Sequence, residues 1–176
     1  DSGGNNVFEG GFLGLDNVGP FDRGAALPVA GVLEQSDGTA WMAMFALNLL
    51  EMSVVLASTR SAYVDLATKF FEHFAFIASA AYQQGLWDEE DGFFYDVIRQ
   101  PDGTSVPLKV RSVVGLVPLA ATTILSSVTL TRLPRLAERL RWFLANRPEY
   151  SGAVGSRRIR NGQQQRLLSA VGPDQL

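Results

Sequence analysis

Apolar side chains recur along this chain at helical intervals in two long stretches. From Thr39 to about Ser58 they fall nearly all round the helix, with Trp41, Met42, Phe45, Leu49, Leu50, Met52, Val54, Val55 and Leu56. That pattern predicts a helix buried on most of its faces. Ser36-Asp37-Gly38 supplies its start, because a short oxygen-bearing side chain can accept one of the orphan amide hydrogens of a first turn. From Ser61 to Gln84 the period is cleaner. Tyr63, Leu66, Ala67, Phe70, Phe71, Phe74, Ile77, Ala78 and Ala81 follow one another at three- and four-residue steps, with Asp65, Thr68, Lys69 and Glu72 on the other side. This is one amphipathic stripe, and Gly85 is placed to end it in a left-handed cap. The short join at Thr59 and Arg60 predicts a helical hairpin.

Between Leu86 and Leu108 the rhythm changes. Asp91-Gly92 and Asp102-Gly103 are turn signals around the β-favouring run Phe93 to Ile98, which predicts a small hairpin. A helix with a kink at Pro118 is expected from Ser112 to Ser126, another from Pro134 to Ala145, and a short one from Gln163 to Ala170. Residues 1–35 are rich in glycine and keep neither period, so they read as a loop with at most short strands. A loop that long inside a compact domain is generally functional.

Composition narrows the function classes. The 176 residues suffice for one globular domain, and 47% hydrophobic against 19% charged residues exclude a disordered chain. A formal net charge of −3 gives no field for gathering nucleic acid or anionic lipid, and the basic residues from Arg132 to Arg166 alternate with leucines as a solvated helix face would. We therefore expect neither a nucleic-acid nor a membrane partner. With no cysteine and one histidine, no thiolate site exists and a protein zinc site is disfavoured, so no metal or cofactor is expected. The absence of cysteine suits a reducing compartment, and a cytoplasmic location is the expectation. No leader pattern is visible, and the lack of an initiating methionine suggests a piece of something longer.

Acids dominate the candidate chemistry. Paired carboxylates suffice for glycoside hydrolysis, since one protonates the leaving oxygen and the other activates water. Asp16 lies among Leu13, Leu15, Val18 and Phe21, where desolvation would favour a protonated donor. It can equally close an Asx turn with Asn17, and spacing alone favours the turn. Asp37 and Trp41 share a helix face with Gln35 just outside it, which suits either a sugar platform or plain capping and core packing. The run Trp87 to Gly92 is acidic but fails the calcium-loop pattern, with Ile98 where the bidentate glutamate should stand. Lys109 and Arg111 bracket Val110, so both point one way in an extended segment, towards a ligand or towards the acids.

Taken together, Gly3 to Asn17, with its Gly14-Leu15-Asp16-Asn17, Glu34 to Met42, Leu86 to Asp96 and Leu108 to Ser112 resemble bacterial proteins of glycoside hydrolase family 63 and their mannosylglycerate-hydrolase-like relatives. The resemblance runs in order over nearly the whole chain. It implies a mainly α fold, part of an (α/α)6 toroid, with residues 1–35 as the active-site loop region and 36–176 as helical hairpins of one partial catalytic domain. It implies inverting hydrolysis of α-linked glucose or mannose, with Asp16 as general acid. Phe12, Asn17, Arg23, Gln35, Asp37, Trp41, Trp87 and Arg111 would bind the sugar. The family's general base is a late glutamate that nothing in this chain matches, since only Glu138 and Glu149 lie past residue 90. The expectation is thus a fragment that binds a small carbohydrate without turning it over, and whose exposed helix faces favour self-association. A non-catalytic carbohydrate-binding or interaction module is the alternative.

Overall fold

The computed structural model describes residues 1–10, 18–153, 157–160, 163–172 and 175. The chain divides into two compact units, residues 1–42 with 80–120 and residues 43–79 with 121–176.

The first unit is built on an antiparallel sheet. Strands β1 (Phe8–Glu9), β2 (Val32–Gln35), β5 (Asp96–Arg99) and β6 (Ser105–Leu108) lie side by side in that order. β2 pairs with β5 in the register Leu33 to Ile98, and β5 with β6 in the register Val97 to Pro107. A separate ribbon joins β3 (Trp87–Asp88) to β4 (Phe93–Phe94). Both expected turns form, with Gly92 and Gly103 at φ 59° and 84°, a region that glycine occupies without steric cost. They close two hairpins rather than one. Leu33, Leu86, Phe94, Val97 and Ile98 are buried in this unit. A 3-10 segment, Val113–Ala120, lies against the ribbon, where a Cβ on Gly115 would collide with the Phe93 ring and the Phe94 carbonyl oxygen.

The second unit has an apolar core around Leu50, Ala67, Phe71, Phe74, Leu136, Leu140 and Leu168. Phe71 meets the edge of Phe143 at 5.5 Å, and Arg147 lies 4.9 Å over Tyr150. Helix α3 (Ser127–Arg132) is capped by the Ser126 hydroxyl, which accepts from the Thr129 amide at 3.1 Å, and α4 (Pro134–Asn146) starts on its proline as expected. Strands β7 (Thr122–Ser126), β8 (Arg157–Arg160) and β9 (Gln163–Ser169) form an antiparallel sheet in the order β7-β9-β8.

Helices α1 (Ser36–Ala57) and α2 (Tyr63–Gln83) run through both units, and Gly85 follows α2 with φ 79°. In α1 the expected burial on most faces is only half met. Ala43, Ala46, Leu47 and Leu50 are buried, whereas Phe45, Leu49, Met52, Val55 and Leu56 are exposed, Val55 by 69%. At 22 residues, α1 is also long and apolar enough to cross a membrane by length and composition, while contributing to a folded core.

The expected toroid of helical hairpins is overturned. Three small antiparallel sheets replace much of the expected helix, and after α2 the longest α-helix among the described residues has 13 residues. Two expected helices account for most of the difference. Residues 112–126 become the 3-10 segment and β7, because Pro118 denies a ladder hydrogen bond and the β-branched Thr122, Thr123 and Ile124 favour an extended chain. Residues 163–169 pair with β7, Leu168 opposite Thr123 and Leu167 opposite Ile124, a partner more than forty residues away that local periodicity does not reveal.

Candidate functional site

Three elements of the first unit surround a shallow recess, whose empty space of about 360 Å3 includes open solvent and which has only about 20 Å3 of room for the centres of water-sized groups. The loop Val18-Gly19-Pro20-Phe21 forms one wall, Leu108, Val110 and Ser112 another, and Leu33, Phe94, Tyr95 and Asp96 the remainder. Such a mixture of apolar walls and a few polar groups characterises small-molecule sites.

Arg23 also lines the recess, and it fixes the loop to the sheet and to α1. It is 6% exposed, between Asp37 at 0% and Asp96 at 9%. Its Nη1 donates to Asp37 Oδ2 at 2.9 Å and its Nη2 donates to Asp37 Oδ1, a two-pronged pairing that suits the planar guanidinium. Its Nε lies 3.1 Å from Asp96 Oδ2. Asp96 Oδ1 in turn accepts the Ser36 amide at 2.9 Å and the Ser36 hydroxyl at 3.2 Å. Two carboxylates thus share one guanidinium. Burial pushes the Asp96 carboxyl above the usual aspartate range and the neighbouring Asp37 charge adds to this, while the Ser36 hydrogen bonds and the Arg23 charge act the other way.

The first turn of α1 is tied down on its other side. The Thr39 hydroxyl donates to the Gln35 carbonyl at 2.7 Å and accepts the Phe8 amide at 3.0 Å. Glu34, 1% exposed, accepts from Arg99 Nε at 3.1 Å and Nη2 at 2.8 Å. Its carboxylate lies near those of Asp1 and Glu9, within 4.8 Å between ligand atoms. Glu34 is held by Arg99 and Glu9 by Ser2, while Asp1 accepts the Asn5 amide on Oδ1 and its buried Oδ2 meets no partner among the described residues.

Two acids of the loop, Asp88 and Asp91, are paired by the residues that bracket Val110. Lys109 Nζ lies 2.7 Å from Asp88 Oδ2 and 3.1 Å from Asp91 Oδ2, and Arg111 Nη2 lies 3.0 Å from Asp91 Oδ1. Hydrogen bonds from Lys109 hold both aspartates below their usual range and raise the lysine above its own. Lys109 and Arg111 do point one way, and what they meet is the acids.

Of the residues expected to bind sugar, Arg23 lines the recess. Phe12, Asp16 and Asn17 lie outside the described residues, although Val18 on the recess wall follows Asn17 directly in the chain. Gln35, at the end of β2, and Asp37, in the first turn of α1, are fully buried, and Asp37 is committed to Arg23. Trp41, 39% exposed, is absent from the recess lining. Trp87 packs on Phe94 at 4.8 Å, behind the wall, and its buried Nε1 meets no acceptor among the described residues. Arg111 is engaged by Asp91 and by the Tyr95 hydroxyl at 3.2 Å. Glu138 and Glu149 are both exposed, in the second unit, and Glu149 pairs with Arg147 at 2.7 Å. Asp96 ends the Leu86 to Asp96 stretch of the resemblance and is one of the chain's many candidate acids, but spacing gives it no role of its own. The available signal was an aspartate inside the β-favouring run Phe93 to Ile98, where a charge at a buried position needs partners.

The first unit is thus an antiparallel-sheet scaffold whose recess has an acid and a guanidinium among largely apolar walls. No protein-family model matches the sequence, and no solved structure matches it. A protein of Saccharomyces cerevisiae, Uncharacterized protein YMR196W, is 40% identical over 187 aligned residues that take in 97% of this chain. The chain spans only 17% of the length of that protein, whose printed name assigns it no activity.

Proposed function

We propose that this chain is the acid-bearing part of an inverting glycoside hydrolase acting on α-linked glucose or mannose, with Asp16 as proton donor. The observation that carries the reading is the recess in the first unit, whose wall begins at Val18, two residues after Asp16. Its apolar surfaces suit the C–H face of a pyranose and its polar groups suit hydroxyls.

In such a reaction the acid protonates the glycosidic oxygen as the bond to the anomeric carbon breaks. Water attacks from the opposite face and loses its proton to a second carboxylate, about 6.5–9.5 Å from the first. Glu138 and Glu149, exposed in the other unit, are poor candidates for that base. The chain alone should therefore bind sugar without hydrolysing it.

Release of nitrophenol from p-nitrophenyl α-glucoside and α-mannoside tests this, using both the 176-residue chain and the full-length polypeptide that carries it. The reading expects turnover by the longer protein only, abolished by Asp16→Asn. Turnover by the short chain would overturn the missing base, and no turnover by either protein would overturn the hydrolase. The second reading, a non-catalytic sugar-binding module, is favoured by the mutual pairing of Arg23, Asp37 and Asp96, which suits a rigid binding wall. It predicts sugar binding that survives Asp16→Asn, with no hydrolysis by the full-length protein.

A further inference from the structure

Asp96 differs from the other acids of the first unit in its surroundings. It opens β5, lines the recess, and shares the single guanidinium of Arg23 with Asp37. A carboxylate offers about four acceptor positions. Among the described residues three are taken on Asp96, two by Ser36 on Oδ1 and one by Arg23 on Oδ2. The open position is on Oδ2, on a side chain that retains 10% exposure beside the recess.

The charge balance points the same way. Among the described residues the charged groups facing Asp96 are Arg23 from the loop and Asp37 from α1, so two buried carboxylates face one guanidinium. For folding alone a neutral residue would cost less at this position, since a buried carboxylate is tolerated only when it is fully compensated. An acceptor in excess at the edge of a recess, by contrast, is what a hydroxyl-rich ligand requires. Pro20, Phe21 and Val110 supply the apolar surface such a ligand also needs.

We propose that Asp96 is a substrate-binding residue that accepts a hydrogen bond from a hydroxyl of the sugar ring seated in the recess, with Arg23 as the positioning residue that holds its carboxylate. This rests on the carbohydrate reading and gives a role to a residue that the resemblance includes, at the end of Leu86 to Asp96, without assigning it one. A donated hydroxyl stabilises the ionised form, so ligand binding lowers the carboxyl's pKa.

The test follows the carboxyl carbon of Asp96 by 13C NMR over a pH titration of this chain, with and without methyl α-D-glucopyranoside or methyl α-D-mannopyranoside. The expected result is a lower Asp96 titration midpoint with sugar, amide shifts confined to residues 18–21 and 94–96, and at least about tenfold weaker binding by Asp96→Asn. Sugar binding with an unmoved Asp96 midpoint would overturn the assignment while leaving the carbohydrate reading in place. Absence of binding by either glycoside would overturn the assignment, and if the full-length polypeptide also failed to hydrolyse glycosides the carbohydrate reading would fall with it. The wild-type titration decides the matter even if Asp96→Asn does not fold.

Discussion

Replacing Arg23 by methionine keeps much of the side-chain length and removes the charge shared by Asp37 and Asp96. Both carboxylates are almost wholly enclosed, at 0% and 9% exposure, so solvent cannot take over the role of the guanidinium. Breaking one partner out of a buried pair costs about 3–5 kcal/mol, because a buried charge is left uncompensated. With two acids relying on one arginine, the cost should fall in the upper part of that range. That shifts the unfolding equilibrium by roughly three to three and a half orders of magnitude, against a total stability of about 5–15 kcal/mol for an ordinary domain. The assay is urea unfolding of the first unit followed by tryptophan fluorescence. Trp41 and Trp87 lie in that unit, and Trp142, 61% exposed in the other, is replaced by phenylalanine in both proteins to silence it. The deficit should shrink as pH falls from neutrality towards about 4, since Asp96, already raised by burial, takes up a proton and relieves the repulsion. A loss below about 1 kcal/mol, or one that does not depend on pH, would refute the reasoning.

The raised Asp96 carboxyl also predicts the pH behaviour of the wild type. Its folded pKa lies above the unfolded value, so its contribution is fully present below about 3.8 and is lost as pH rises through the raised value; Asp96→Asn should lack this loss in urea titrations at successive pH values. Phe71→Ala in the second core, where Phe71 is 0% exposed and abuts Phe143, should cost about 3–5 kcal/mol by chemical denaturation. Gly115→Ala forces a Cβ into the Phe93 ring and the Phe94 carbonyl, and should cost about 1–3 kcal/mol, seen as a lower melting temperature. Met52→Lys with Val55→Lys, on the exposed face of α1, should leave stability within about 1 kcal/mol of wild type and reduce concentration-dependent light scattering.

The elements legible in the sequence are those whose signals are local. The stripe of α2 and its end at Gly85, the first turn of α1 at Ser36, the Pro134 start of α4 and the two Asp-Gly turns all follow from residues within a few positions of one another. β7 and β9 were misread because their stabilising partner lies far along the chain, and a short apolar run such as Thr122 to Leu125 fits a helix or a strand until that partner is known. Residues expected to be ligand groups are each other's partners. Arg23 with Asp37 is separated by 14 positions and Arg111 with Asp91 by 20, so the same charges read equally well as a site or as a staple. Asp96 stands among the candidate acids without an assigned partner for the same reason, since Arg23 and Ser36, which hold it, are joined to it by no local pattern.

The glycosidase reading is tested most directly by following hydrolysis of an α-linked glucoside or mannoside by the full-length polypeptide with proton NMR at early times. The account predicts that the first sugar released is the β anomer, formed by attack of water opposite the leaving group, and that Asp16→Asn releases none. An α anomer as the first product, or undiminished release by Asp16→Asn, would contradict it.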